Sequence, residues 1–387
     1  MIRTPFDSEL LDSLMEASGV DWVVATSSHN VRYLLGGYHY FFYDHFSAIG
    51  LSRYLPLVGY PRGNPQRAFY VAAANEAWQL EIKPVWIERI EKAPVTSTAA
   101  AEVAAAALKE PAKRLRIAVE PSFIPSDAMK TLSEVLSGAE FIDATPILET
   151  LRAIKTPREL DLLRSASVGI VEAMLSTFRT VQPGETKDEV TSHLAAELTG
   201  RAMEFDYAFV TFGRSLNRAP FGGRLERGQL LSLDSGGRLD GYVGDLCRMA
   251  VLGEPDSEMK EALDEVTRVQ AAARGAVRRG NEGAAIYEAA LKQVAASPHR
   301  ERMRFIAHGV GLIAHEAPRL TDRAGMPYPA THAKQPLEVG MVLSVETHIA
   351  DPNLGFVKLE DTLIVTEDGY EAAGDLGQGW NLAGARD

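Results

Sequence analysis

The chain has little cysteine, no excess of positive charge and no long apolar run, and each shortage excludes something. A single cysteine, Cys247, among 387 residues allows no disulfide within the chain and fits a reducing compartment. No apolar stretch approaches the roughly 20 residues that cross a bilayer. The first residues, Met-Ile-Arg-Thr-Pro-Phe-Asp, lack the charged-then-apolar run of a signal peptide, so a cytoplasmic protein with no membrane partner is expected. Lys and Arg number 40 against 52 Asp and Glu, a formal net charge of −12. Nucleic acid, which calls for a basic face, is therefore not expected as a partner. Internal repeats are absent, and the one low-complexity patch, the Ala-rich run 98–108, reads as an ordinary helix.

What is present is ordinary globular chemistry, 46% hydrophobic and 24% charged, in a length that suggests two domains. The first part alternates strand-like runs (22–26, 68–72, 85–87, 115–119) with helix-like ones (8–17, 98–109, 126–137). That alternation predicts an α/β layer. A break falls near residue 150, giving expected domains 1–150 and 151–387. Thr156-Pro157-Arg158-Glu159 has the N-cap, first-turn proline and N3 glutamate of a capping box, and opens a long helix. A second box begins at Thr186, and further helices are expected at 257–278 and 284–296. Strand signals fall at 229–234, 242–252, 341–347 and 356–365. Helices mixed with hairpins, without regular alternation, predict an α+β second domain.

Two of those hairpins aim carboxylates at one place. Asp234 and Asp245 are 245 − 234 = 11 residues apart, flanking the turn-rich stretch 235–241. A two-residue loop at Leu239-Asp240 makes them a direct pair; one at Asp240-Gly241 makes them diagonal neighbours. Either way they share a face within ~8 Å. Glu346 and Glu360 lie seven residues on each side of Asn353, so a turn centred there sets them opposite. Like charges opposite one another destabilise a strand pair. Two such pairs inside apolar runs call for bound cations, and the alternative is four unrelated surface acids. His308 and His315 stand in an apolar, glycine-bearing stretch, His308 to Pro318. Carboxylates with imidazole and no thiolate suit manganese, cobalt, iron or zinc. Two ions ~3.5–4 Å apart hold a bridging water of lowered pKa.

The order Asp234, Asp245, His308, Glu346, Glu360 resembles that of the pita-bread metallopeptidases: prolidase, aminopeptidase P and methionine aminopeptidase. The motifs are Leu233-Asp234-Ser235-Gly236, Asp245-Leu246-Cys247-Arg248, His308 to Pro318, Val345-Glu346, Leu359-Glu360-Asp361 and the linker Leu151-Arg152-Ala153-Ile154-Lys155. The segment Asn30-Val31-Arg32-Tyr33-Leu34 is similar to the N-terminal domain of creatinase and prolidase. The resemblance implies a C-terminal pita-bread domain behind a smaller α/β creatinase-type domain, and two divalent ions, manganese by default. It implies that Asp234 and Asp245 are ligands, Asp245 bridging; that His308 binds one ion; and that Glu360 bridges. Glu346 would bind metal and act as general base, and His315 would contact the substrate carbonyl or tetrahedral intermediate. A dipeptide or small-molecule substrate and a homodimer are implied as well.

The shell departs from the family pattern at three positions. Asn217 stands where prolidase-like enzymes carry a histidine, and it cannot carry charge or shuttle a proton. Lys358 replaces an arginine and lacks its planar fork. His348 follows Glu346-Thr347 where Glu-Pro-Gly is usual, and it either joins the site or points to solvent. Cys247 replaces a threonine and reads as a small buried filler. Asn217, Lys358 and His348 are thus candidate substrate contacts. So are Tyr38 and His39, in the aromatic run 38–46, which is either a recognition surface for a partner subunit's site or a core strand and helix start. The leading expectation is a dinuclear hydrolase of Xaa-Pro-like dipeptides or small amides. The alternatives are a non-peptidase of the same fold (creatinase-, ectoine hydrolase- or sulfoniopropionate lyase-like) and a metal-free binding module.

Overall fold

A computed structural model describes residues 3–109, 114–322 and 329–384. It divides into two units, Met1–Leu151 and Arg152–Asp387. The first runs α1 (Ser8–Ala17), β1 (Trp22–Ala25), α2 (Ser28–Leu34), β2 (Leu57–Pro61), β3 (Phe69–Ala73), α3 (Ala77–Ile82), β4 (Arg89–Ala93), α4 (Ser97–Leu108), β5 (Arg116–Val119), α5 (Ser126–Val135), β6 (Glu140–Asp143) and α6 (Thr145–Ala153). Its strands form one mixed sheet in the order β4-β3-β2-β1-β5-β6. α1 starts where Asp7 accepts the Leu10 N–H at 2.9 Å, an N-cap worth about 1 kcal/mol. The alanines of α4 are small enough to lie close on the sheet: Ala100, Ala101, Ala104 and Ala105 share a core with Trp22, Val24, Leu57 and Ile117. The strand expected at 85–87 forms at Arg89–Ala93 instead. There the chain pairs in parallel with β3, so pairing outweighs the more apolar run before it.

The second unit runs α7 (Pro157–Thr180), α8 (Lys187–Gly200), β7 (Glu204–Phe212), β8 (Leu230–Leu239), β9 (Tyr242–Val251), α9 (Ser257–Ala276), α10 (Ala284–Ala296), β10 (Met303–Gly309), β11 (Val342–Asp351), β12 (Gly355–Val365), β13 (Tyr370–Ala373) and β14 (Asn381–Leu382). Both expected capping boxes form. Glu159 and Glu189 side chains accept the N–H of Thr156 and Thr186 at 2.8 and 2.7 Å, and so open α7 and α8. The main sheet has the order β10-β11-β12-β9-β8-β7, with β13 on β12 and β14 on β9.

Strand alternation decides what this sheet offers. Leu343, Val345, Ile349, Leu359, Leu363, Met303, Phe305 and Ala307 form one core with residues of α9 and α10. Leu231, Leu233, Leu246 and Ala250 form another with residues of α7 and α8. With a period of two, the intervening Asp234, Asp245, His308, Glu346, Lys358 and Glu360 all turn to the face away from those helices.

Candidate metal centre

The β8–β9 hairpin closes through Asp240-Gly241, with Leu239 opposite Tyr242. Both loop residues have positive φ, +47° and +85°, as a tight two-residue turn matched to strand twist requires. Asp245 therefore pairs with Gly236, and Asp234 with Cys247. The two aspartates are diagonal neighbours, the second of the two arrangements that their spacing allowed. The β11–β12 hairpin pairs Asp351 with Gly355 and so centres on Asn353; Glu346 lies directly opposite Glu360. Asp351 fixes that turn, accepting the Asn353 N–H at 2.8 Å and pairing with Arg302. The pair Glu360–Cys247 links β12 to β9, which brings the two acid pairs together.

All five expected ligands, Asp234, Asp245, His308, Glu346 and Glu360, are buried. Ligand atoms of Asp245, His308 and Glu360 lie within 4.8 Å of one another. His308 Nε2 is 3.8 Å from Glu346 Oε1 and 3.8 Å from Glu360 Oε1, and has no hydrogen-bond partner among the described residues. A buried imidazole nitrogen of that kind, facing carboxylate oxygens, fits a divalent ion on this side of the cluster. The other side differs. Lys358 Nζ stands 2.6 Å from Asp234 Oδ2, 2.5 Å from Glu346 Oε2 and 2.8 Å from Glu360 Oε2. Arg218 pairs with Asp234 as well. Tyr207 donates to Asp245 Oδ1 at 2.5 Å, and Ser344 to Glu360 Oε1 at 2.7 Å.

The electrostatics follow from crowding acids out of water. Burial, then the charges of Glu360 and Asp234, push Asp245 well above the ordinary carboxylate range. Burial also raises Asp234, although Lys358 and Arg218 oppose it. Burial alone would make Lys358 give up its proton, but Asp234, Glu346 and Glu360 outweigh that and hold it well above the usual lysine value. Beside Asp245, burial and that carboxylate's charge keep Tyr207 protonated far above neutral pH. The cluster thus stays ionised only to the extent that positive charge is supplied to it.

His315 sits in the loop that follows β10. Its ring stacks on His308 with centroids 3.7 Å apart. The loop is held by Glu316, which is buried and takes Lys155 Nζ at 2.9 Å and Arg152 at 3.3 Å. The basic residues of the linker motif therefore position this histidine. A side chain at position 311 would strike the Glu316 carboxylate at 2.1 Å, so the close approach there needs glycine. Burial, then the charge of His308, lowers His315 to about 3, which favours its neutral form.

The remaining candidates divide. His348 lies opposite Lys358, stacks on Phe356 and is lowered to about 3 by burial and then by Lys358 and Arg218; it lies on the cluster's face. The Asn217 side chain accepts the Ala219 N–H at 3.0 Å, which ties it to its own turn. Its neighbour Arg218, which the sequence did not single out, reaches Asp234 and lies over the rings of Phe209 and Phe356. Tyr207 also went unnoticed, because β7 joins β8 through the long connection 213–229 and gives no hairpin signal. Tyr38 corrects an expectation. It is 2% exposed and donates to buried Glu76 at 2.8 Å, as do Tyr54 and Tyr70 at 2.6 and 2.5 Å. Its hydroxyl serves a buried carboxylate inside the first unit and offers no surface to a substrate. His39 is partly exposed and lies 3.2 Å from Asp44. Cys247 is fully buried, as a small filler should be.

Comparison with known proteins bears on all of this. Residues 161–367 match the sequence model of metallopeptidase family M24, and residues 9–154 that of the creatinase/prolidase N-terminal domain. A Bacillus subtilis (strain 168) protein described as uncharacterized peptidase YqhT is 25% identical over 370 residues, 93% of this chain and 95% of that one. A Pyrococcus furiosus Xaa-Pro dipeptidase is 29% identical over 237 residues, 59% of this chain and 65% of that one. Among solved structures, an Xaa-Pro dipeptidase from Bacillus anthracis superposes with a TM-score of 0.79 at 24% identity, covering 97% of this chain and 98% of that one. The prolidase from Pyrococcus horikoshii OT3 gives 0.78 at 20% identity, covering 95% and 97%. The α+β architecture expected from the sequence, a creatinase-type domain before a pita-bread domain, is the one these structures share.

Proposed function

The chain belongs to metallopeptidase family M24 and is a metal-dependent hydrolase, and from that premise we propose that it cleaves the amide bond of an Xaa-Pro-like dipeptide at the cluster of Asp234, Asp245, His308, Glu346 and Glu360. The observation that carries the reading is the buried face itself. Four buried carboxylates share one face of the sheet with an imidazole nitrogen that has no hydrogen-bond partner among the described residues, an arrangement that is costly without cations. The names of relatives, Xaa-Pro dipeptidase and prolidase, support this substrate class.

A bound divalent ion, manganese by default, supplies Lewis acidity toward the scissile carbonyl and lowers the pKa of water. The chain's own groups do the rest. Glu346 Oε2 is held by Lys358 at 2.5 Å while Oε1 faces His308. The carboxylate is thereby oriented to take a proton from the attacking water and pass it to the leaving amine. His315, neutral at physiological pH, donates an N–H to the carbonyl oxygen as negative charge develops there. Tyr207 orients Asp245 through its hydroxyl. On the same reading the protein is a cytoplasmic homodimer, which light scattering in solution tests.

The test is turnover of a panel of Xaa-Pro dipeptides by the manganese-loaded protein, and no release above a metal-only blank would sink the dipeptidase reading. One observation favours a second reading, a non-peptidase of the same fold acting on a small metabolite. Arg218, Phe209, Phe356 and His348 form a guanidinium and aromatic wall beside Lys358, where small cationic or carboxylate groups bind well. Turnover of small amides with none of dipeptides would select it.

A further inference from the structure

We propose that this chain binds a single divalent ion, on the side of Asp245, His308, Glu346 and Glu360, and that the Lys358 ammonium permanently takes the position a second ion would need beside Asp234. The inference rests on reading the cluster as a metal centre, and departs from the two ions that the resemblance implies.

Geometry is the first argument. An ammonium has three donors, and the Lys358 ammonium has three carboxylate oxygens around it: Asp234 Oδ2, Glu346 Oε2 and Glu360 Oε2 at 2.6, 2.5 and 2.8 Å. A divalent ion bound to Asp234 and those glutamates would lie about 2.0–2.2 Å from the same oxygens. It would then fall on or against Nζ, so the two cations exclude each other. Lys358 projects from β12, is 3% exposed, and would have to leave a buried position where it donates to Asp234 and lies in ion-pair contact with Glu346 and Glu360.

Charge is the second. Asp234, Asp245, Glu346 and Glu360 carry four negative charges, and Lys358 and the Arg218 paired with Asp234 carry two positive ones, leaving −2. One divalent ion brings this sum to zero, whereas two would leave it at +2; Arg218, one-third exposed, is partly screened by solvent, so the charge count supports the geometric argument and does not stand without it. The third argument is the asymmetry of the donors. The sole imidazole in the ligand set, His308, has no hydrogen-bond partner at Nε2 among the described residues and lies 3.8 Å from both Glu346 Oε1 and Glu360 Oε1. Its partners there, Asp245 and Glu360, complete a set compact enough for one ion.

Chelated and dialysed protein is titrated with Mn²⁺, bound metal is counted by elemental analysis, and frozen samples are examined by electron paramagnetic resonance. The wild type is expected to hold one Mn²⁺ per chain with the spectrum of an isolated ion. Lys358→Ala is expected to take up a second, with an exchange-coupled spectrum. Two ions and exchange coupling in the wild type overturn the inference while leaving the metal centre intact. One ion in both proteins overturns it too, since Lys358 would not be what limits the number. No bound ion in the wild type removes the metal centre, and the inference with it. The wild-type spectrum decides the matter alone if the variant does not fold.

Discussion

His348 and Lys358 face each other across the β11–β12 hairpin, two positions nearer its turn than the pair Glu346–Glu360. With a strand period of two, the four side chains share one face. An ammonium and a ring kept neutral by burial and then by that ammonium thus border the carboxylates. The family resemblance predicts an arginine at 358 and no histidine at 348. Both departures fall on one cross-strand pair, beside the residues that would do the chemistry.

Glu346→Gln is expected to lower kcat by about 10²–10⁴-fold, the usual contribution of a positioned base, while the far-ultraviolet circular dichroism stays unchanged. Retained turnover would remove Glu346 as the base.

Tyr38→Phe separates a structural from a functional role for the aromatic run. Its hydroxyl is one of three phenols bonded to buried Glu76, so deletion is expected to cost about 1–3 kcal/mol. KM and kcat for a cleaved substrate are expected to stay unchanged, because the hydroxyl is buried against Glu76 inside the first unit. A raised KM with unchanged thermal stability would return Tyr38 to substrate contact.

The turn between the glutamate strands has its own pH signature. Burial alone would raise the pKa of Asp351, but the Asn353 N–H and Arg302 hold it below the ordinary value. Folded Asp351 binds its proton less readily than the unfolded chain does. The stability it contributes is therefore complete above about pH 5 and is lost as pH falls through the folded value. Asp351→Asn is expected to cost about 1 kcal/mol at pH 7. Chemical denaturation should show the gap between variant and wild type closing toward pH 3; a gap independent of pH would contradict the assignment.

Removing metal should destabilise the unit that carries the centre. An ion present at a hundred times its Kd adds about 2.7 kcal/mol. A chelator should therefore lower the melting temperature by about 5–10 °C for a unit of this size. An unchanged melting curve would favour a metal-free binding module.

Much of this was legible in the chain, and the reasons are local. Capping boxes at Thr156 and Thr186 set two helix starts, and the spacing of Asp234 to Asp245 and Glu346 to Glu360 foretold two hairpins, since both are short-range signals. The Asp240-Gly241 turn then chose between the two registers left open for the aspartates. Less visible was whatever depends on distant pairing. β10, which carries His308, joins β11 across more than thirty residues, and Tyr207 reaches Asp245 from a strand with no hairpin of its own. At 358 the sequence shows only a lysine in place of the arginine fork. That its ammonium would sit among three of the four carboxylates follows only from side-chain positions. Tyr38 reads as a ligand contact in the sequence because an aromatic run looks the same whether it faces a ligand or a buried glutamate.

The central claim, that these inward-facing residues hold a divalent ion, is tested most directly by anomalous diffraction from crystals grown with Mn²⁺. The account predicts a manganese peak bounded by Asp245, His308, Glu346 and Glu360, with Lys358 still against Asp234. A map with no peak among these residues, or with the manganese bound elsewhere, would contradict it.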